Sequence, residues 1–113
     1  PGLPTHPQAE LARSQMREFG SIVTFDLRAG PEAGRRFAES LRLFAITASL
    51  GSTESLVLPP QMIRPKDFTP EQAAWSDIRP GTVRLSIGLE DVADLRADLA
   101  CALDAAGEPT AAA

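Results

Sequence analysis

At 113 residues the chain has room for one domain with a modest core. Its 43% hydrophobic and 23% charged content is ordinary for a soluble globular protein, and a formal charge of −4 with a pI near 4.9 argues against a nucleic-acid binder. No apolar run approaches the roughly 18 residues of a membrane span, and there is no signal-peptide pattern. Cys101 stands alone, so the sequence offers neither a disulfide framework nor a thiolate metal site, and a cytoplasmic setting is expected.

The chain opens on Pro1-Gly2-Leu3-Pro4 with no initiator methionine, which reads as the start of a piece of something larger. Thr5-x-x-Gln8 has capping-box spacing and predicts a first helix, tolerating Pro7 in its first turn and stopping at Gly20. From Ser21 to Leu27 the period changes to two, setting Ile22 and Thr24 against Val23, Phe25 and Leu27, which predicts a strand. Gly30-Pro31 breaks it and opens a second helix with Phe37, Leu41 and Phe44 at helical spacing. "FAITASLG" and "ESLVLPP" then predict two short strands joined through Gly51-Ser52, and "RPKDF" a loop.

Thr69-x-x-Gln72 with Pro70 is a second capping box and predicts a short helix ending near Trp75, a core or interface anchor. "PGTVRLSIGLED" predicts a strand with Val83, Leu85 and Ile87 on one face and Arg84 on the other, beside Ser86 and Gly88. A last helix follows, acidic at its start (Glu90, Asp91, Asp94) and with a stripe of Val92, Leu95, Leu99 and Leu103. Cys101 on that helix is expected as a small core residue. The order of elements predicts an α+β fold: a small, mostly antiparallel sheet of about four strands with helices on one face.

Chemistry is sparse in these residues. His6 is the single histidine and lies at a helix start, leaving nothing for a histidine-based triad or metal site. Lys66 is the single lysine and reads as a solvated loop charge, and no glycine-rich phosphate loop is present. Two places remain. One is "ASLGSTESL", where Ser49, Ser52, Thr53 and Ser55 surround Gly51 and Glu54, a charge that looks buried; turn chemistry is its ordinary explanation. The other is Arg84, whose fork among small neighbours on a strand suits a carboxylate if that face meets a cavity, and is unremarkable if it meets water.

Three segments, "PGLPTHPQAELARSQMREFGSIVTF", "SLGSTESLVLPP" and "VRLSIGLEDVADLRADLACAL", occur in this order and spacing in the Cys/Met-metabolism PLP-dependent enzymes. The chain resembles that family, which includes cystathionine γ-synthase, cystathionine γ-lyase, methionine γ-lyase and the homoserine-ester sulfhydrylases, from Pro1 to about Ala105. The resemblance implies that residues 1–106 are the small C-terminal domain of a fold-type I PLP enzyme; the tail 107–113, "GEPTAAA", reads as disordered from its own sequence. It further implies γ-replacement or γ-elimination on cystathionine or O-acyl-homoserine by the parent, with pyridoxal 5'-phosphate bound through a lysine of a missing N-terminal domain. Lys66 does not match that lysine, so no catalytic residue and no bound cofactor are expected in this chain, which alone would be inactive.

By the same resemblance, Arg84 in "VRLSIG" matches the arginine that binds the substrate α-carboxylate, and Ser49 matches a serine that helps to hold that carboxylate and the catalytic lysine. Glu54 matches a glutamate at the substrate entrance, and Thr53 a neighbouring position usually held by valine or threonine. Leu58-Pro59-Pro60 departs from the family, which often has a histidine before the proline. The expected partners are the amino-acid substrate, the missing domain and further copies in a homo-oligomer, with neither nucleic acid nor membrane. Apolar surface left by the missing domain would favour self-association. The alternative of a different class is a stand-alone, inactive remnant acting as a protein-interaction module.

Overall fold

A computed structural model of the chain describes residues 1–63, 68–76 and 78–107. Lys66 and residues 108–113 of the expected tail lie outside the described residues.

Helix α1 spans Ala9–Gln15 and buries Ala9 and Ala12. It starts later than the Thr5 capping box predicts. In such a box the Thr5 hydroxyl would accept the Gln8 N–H; here the His6 Nδ1 takes that N–H at 3.1 Å, and residues 3–9 form successive turns instead. It also ends earlier, at Met16, so Gly20 is a positive-φ turn residue outside the helix.

Strand β1 (Ile22–Asp26) follows, then helix α2 (Pro31–Ser40) with Pro31 in its first turn. Strands β2 (Ala45–Ile46) and β3 (Leu56–Leu58) are the two predicted around Gly51, but they lie parallel, with Ala45 opposite Leu56. After β3 the chain makes helix α3 (Pro60–Ile63), where the sequence suggested only the end of a strand. Helix α4 (Pro70–Trp75) is the predicted capping-box helix: the Thr69 hydroxyl accepts the Gln72 N–H at 3.3 Å and the Gln72 side chain accepts the Thr69 N–H at 2.9 Å. Trp75 is 90% exposed, so it is no core anchor.

Strand β4 (Thr82–Ser86) is central in a sheet of order β1-β4-β3-β2, antiparallel to both neighbours. Helix α5 (Val92–Ala106) closes the described fold; Asp91 caps its N-terminus, accepting from the Ala93 and Asp94 N–H groups. Gly107 ends it in the left-handed conformation at φ 79°, which glycine adopts without the strain a Cβ brings. No helix among the described residues is long and apolar enough to cross a membrane.

The expected α+β architecture is therefore present, with two of three strand pairings antiparallel. Helices α2 and α5 pack on the face of β4 that carries Val83 and Leu85, with Phe37, Val57 and Ala102 fully buried between them. Phe37 meets Phe25 of β1 edge to face at 5.6 Å between ring centres. The α5 stripe differs from the expected one: Val92 is 69% exposed because the helix has only just begun there. Asp98 instead faces inward, its carboxylate accepting the backbone N–H groups of Arg42 and Leu43 at 2.9–3.0 Å and so tying the α2–β2 turn to α5. Cys101, also expected in the core, is exposed, since its neighbour Ala102 takes the inward position. The Arg36 guanidinium donates to the Ala106 carbonyl at 3.1 Å, placing a cation where the α5 dipole is negative.

Candidate functional site: the loop-covered face of the sheet

The strand register puts Thr82, Arg84 and Ser86 on the face opposite the helices, beside Leu56 and Leu58 of β3 and Thr24 of β1. No helix of the core covers this group. The 47–55 loop crosses it, for a topological reason. Parallel neighbours β2 and β3 must be joined by a chain that returns the length of a strand, ordinarily about a dozen residues or more. Strands of two and three residues make the return short enough for an irregular loop.

The loop follows the direction of β4, attached at intervals. Arg84 Nη2 donates to the Ser49 carbonyl at 3.0 Å and makes a longer contact to the Ala48 carbonyl at 3.5 Å. Lower down, the Gly51 N–H donates to Ser86 Oγ at 3.0 Å, and the Leu89 N–H to the Thr53 carbonyl at 2.8 Å. At its end, Ser55 is fully buried: its N–H donates to Glu90 Oε1 at 2.7 Å, its hydroxyl to Glu90 Oε2 at 2.8 Å, and its Oγ accepts the Gly88 N–H at 2.9 Å. A Cβ on Gly88 would stand 2.5 Å from the Thr53 carbonyl oxygen and 2.6 Å from the Glu90 carboxylate, so only glycine admits the loop this closely. The hydrogen bonds from the Ser55 N–H and hydroxyl hold the Glu90 carboxyl below the ordinary carboxylate range.

Arg84 is half-buried in the middle of this arrangement, and its Nε is buried with no hydrogen-bond partner among the described residues. No carboxylate among the described residues pairs with it; Asp26, on the same face, is taken by Arg79 at 3.3 Å and by the Thr82 hydroxyl. A central-strand guanidinium held by neutral carbonyls, with a donor left over, is arranged to receive an anion with two oxygens.

The other predicted residues fall along the loop. Ser49 reaches Arg84 through its carbonyl, and its side chain is exposed. Thr53 and Glu54 are exposed as well, and among the described residues neither is hydrogen-bonded to Arg84; Glu54 accepts a 3.3 Å bond from Ser52. Glu54 is thus not the buried charge expected from the sequence, because the alternation there buries Ser55. Sequence reasoning missed Ser55, Ser86 and Glu90 as parts of one assembly. A cavity of about 690 Å³ between the end of α2 and α5, lined by Ser40, Leu43, Asp98 and Cys101 among others, shares no residue with this face. Among the described residues no group of acidic, histidine and cysteine side chains could hold a metal ion.

Comparison with known proteins identifies the family and the fold. Residues 1–104 match the family described as Cys/Met metabolism PLP-dependent enzyme. The chain is 46% identical over 104 residues to L-methionine gamma-lyase of Porphyromonas gingivalis, covering 92% of this chain and 26% of that protein. It is 48% identical over 105 residues to L-methionine gamma-lyase of Pseudomonas putida, covering 93% and 26%. The fold superposes on the crystal structure of cystathionine gamma synthase from Xanthomonas oryzae pv. oryzae in complex with aminoacrylate and cysteine, with a TM-score of 0.85, 40% identity, and coverage of 94% of this chain and 27% of that one. The chain spans about a quarter of the length of the relatives it matches. With its fold and residues 1–104 matched, the chain belongs to the Cys/Met-metabolism PLP-dependent enzyme family.

Proposed function

We propose that this chain is the small C-terminal domain of a PLP-dependent enzyme that carries out γ-elimination or γ-replacement on sulphur amino acids or O-acyl-homoserine, and that its task is to receive the substrate α-carboxylate. The observation that carries this reading is Arg84: a guanidinium on the central strand, oriented by the Ser49 carbonyl, with its Nε unpartnered and no acid paired with it among the described residues. A carboxylate would supply the missing acceptor in bidentate fashion. Ser49 flanks that carboxylate, and the exposed Thr53 and Glu54 stand further along the loop at the substrate entrance.

The cofactor finds no anchor among the described residues. They contain no lysine, and the donor set at Arg84 fits a carboxylate, not a pyridine ring. In this reading PLP, the electron sink of the reaction, is held by the remainder of a longer chain, the parent is a homo-oligomer, and the present residues alone are inactive.

Kinetics of Arg84→Ala in the full-length enzyme test the reading. Removing one partner of such a charge pair costs about 2–5 kcal/mol, so KM for the amino-acid substrate rises at least about 30-fold while the cofactor absorbance stays as it was. An unchanged KM removes Arg84 from the site.

A further inference from the structure

The attachments of the 47–55 loop are unequal. Those at Ser86 and Leu89 are single neutral hydrogen bonds, whereas Ser55 gives both its N–H and its hydroxyl to the two oxygens of one carboxylate. Hydrogen bonds to an ionised acceptor are the stronger kind. The Gly88 N–H on Ser55 Oγ completes the cluster, which joins the last residue of the loop to the turn between β4 and α5.

Glu90 is not needed to start α5. Asp91 accepts the free N–H groups of the first turn, and both Glu90 oxygens are engaged with Ser55 instead. Its position next to a capping residue therefore conceals a long-range contact. The loop it holds also carries, at its other end, the carbonyls against which Arg84 Nη2 rests.

We propose that Glu90 is a positioning residue for substrate binding: by holding Ser55 it fixes the path of the loop over β4, and with it the Ala48 and Ser49 carbonyls that orient the Arg84 guanidinium. The proposal rests on the reading of Arg84 as the carboxylate receptor. Without the Glu90 anchor, Arg84 keeps its charge and its place on the strand but loses the fixed plane of its fork. A planar carboxylate is bound less well by a fork that must be ordered at the moment of binding.

The test compares two competitive inhibitors of the full-length enzyme, L-norleucine and L-norleucinamide, which differ only in carboxylate against carboxamide. The unaltered enzyme prefers norleucine. Arg84→Ala abolishes the preference. Glu90→Ala lowers it about tenfold through weaker norleucine binding, with the Ki for norleucinamide unchanged. Ser55→Ala acts in the same direction, and the double variant is no worse than the more damaged single one, since the two residues form one contact. Glu90→Gln, which keeps one acceptor oxygen for the Ser55 N–H, recovers part of the preference, and it takes the place of Glu90→Ala should that variant not fold.

Equal weakening of both inhibitors in the Glu90 and Ser55 variants would show a merely structural clamp and overturn the proposal. An unchanged preference in those variants, with Arg84→Ala still abolishing it, would also overturn it and leave the Arg84 reading standing. A preference that survives Arg84→Ala would overturn both.

Discussion

Val83 and Leu85 point from β4 into a core closed by α2 and α5, whereas Arg84 and Ser86, on the same strand, point beneath a loop without regular structure. The first face is held by apolar burial, each large side chain contributing about 1.5–3 kcal/mol. The second adds to the buried Leu56 and Leu58 a set of separate hydrogen bonds, each contributing about 0.5–1.5 kcal/mol net where neutral and about 1.5–3 kcal/mol at the Glu90 carboxylate, and among the described residues it leaves a buried donor unsatisfied. One strand thus serves two ends: its inward side chains keep the domain folded, and its outward ones keep a charged group in place.

Substitutions separate the two faces. The largest loss of stability is expected at Phe37, fully buried against Phe25: Phe37→Ala costs about 3–5 kcal/mol, read as a lower denaturant midpoint at constant slope. A loss below about 1 kcal/mol would show that the helical face does not carry the fold. Gly88→Ala comes next, at about 1–3 kcal/mol, because its methyl group must displace the Thr53 carbonyl. This smaller loss is expected to come with a larger fall in substrate affinity than Phe37 variants show under conditions where both remain folded. Equal affinity in the two would erase the distinction between the faces.

How much of this was legible in the sequence followed from the range of each interaction. The alternation around Arg84 and the Thr69 capping box are written within a few residues, and both elements formed where they were read. Acidic residues at the start of α5 were equally visible, but that Asp91 caps while Glu90 reaches back to Ser55 was not, since those partners are 35 positions apart. The Thr5 box had the right letters and lost its N–H to His6, a competition that spacing does not reveal. Helical periodicity misplaced Val92, and the usual burial of a free cysteine misplaced Cys101, because neither says where the helix meets its neighbour; the inward positions went to Asp98 and Ala102. The parallel pairing of β2 and β3 was hidden too, because strands this short carry no signal of direction.

The most direct measurement is a crystal structure of the full-length enzyme with L-norleucine bound. Carboxylate oxygens within about 2.7–2.9 Å of Arg84 nitrogens, with Nε among the donors and the Ser49 carbonyl still on Nη2, are the expected result. A carboxylate bound by other residues, with Arg84 facing solvent and making no contact to it, would contradict the assignment of this face as the carboxylate receptor.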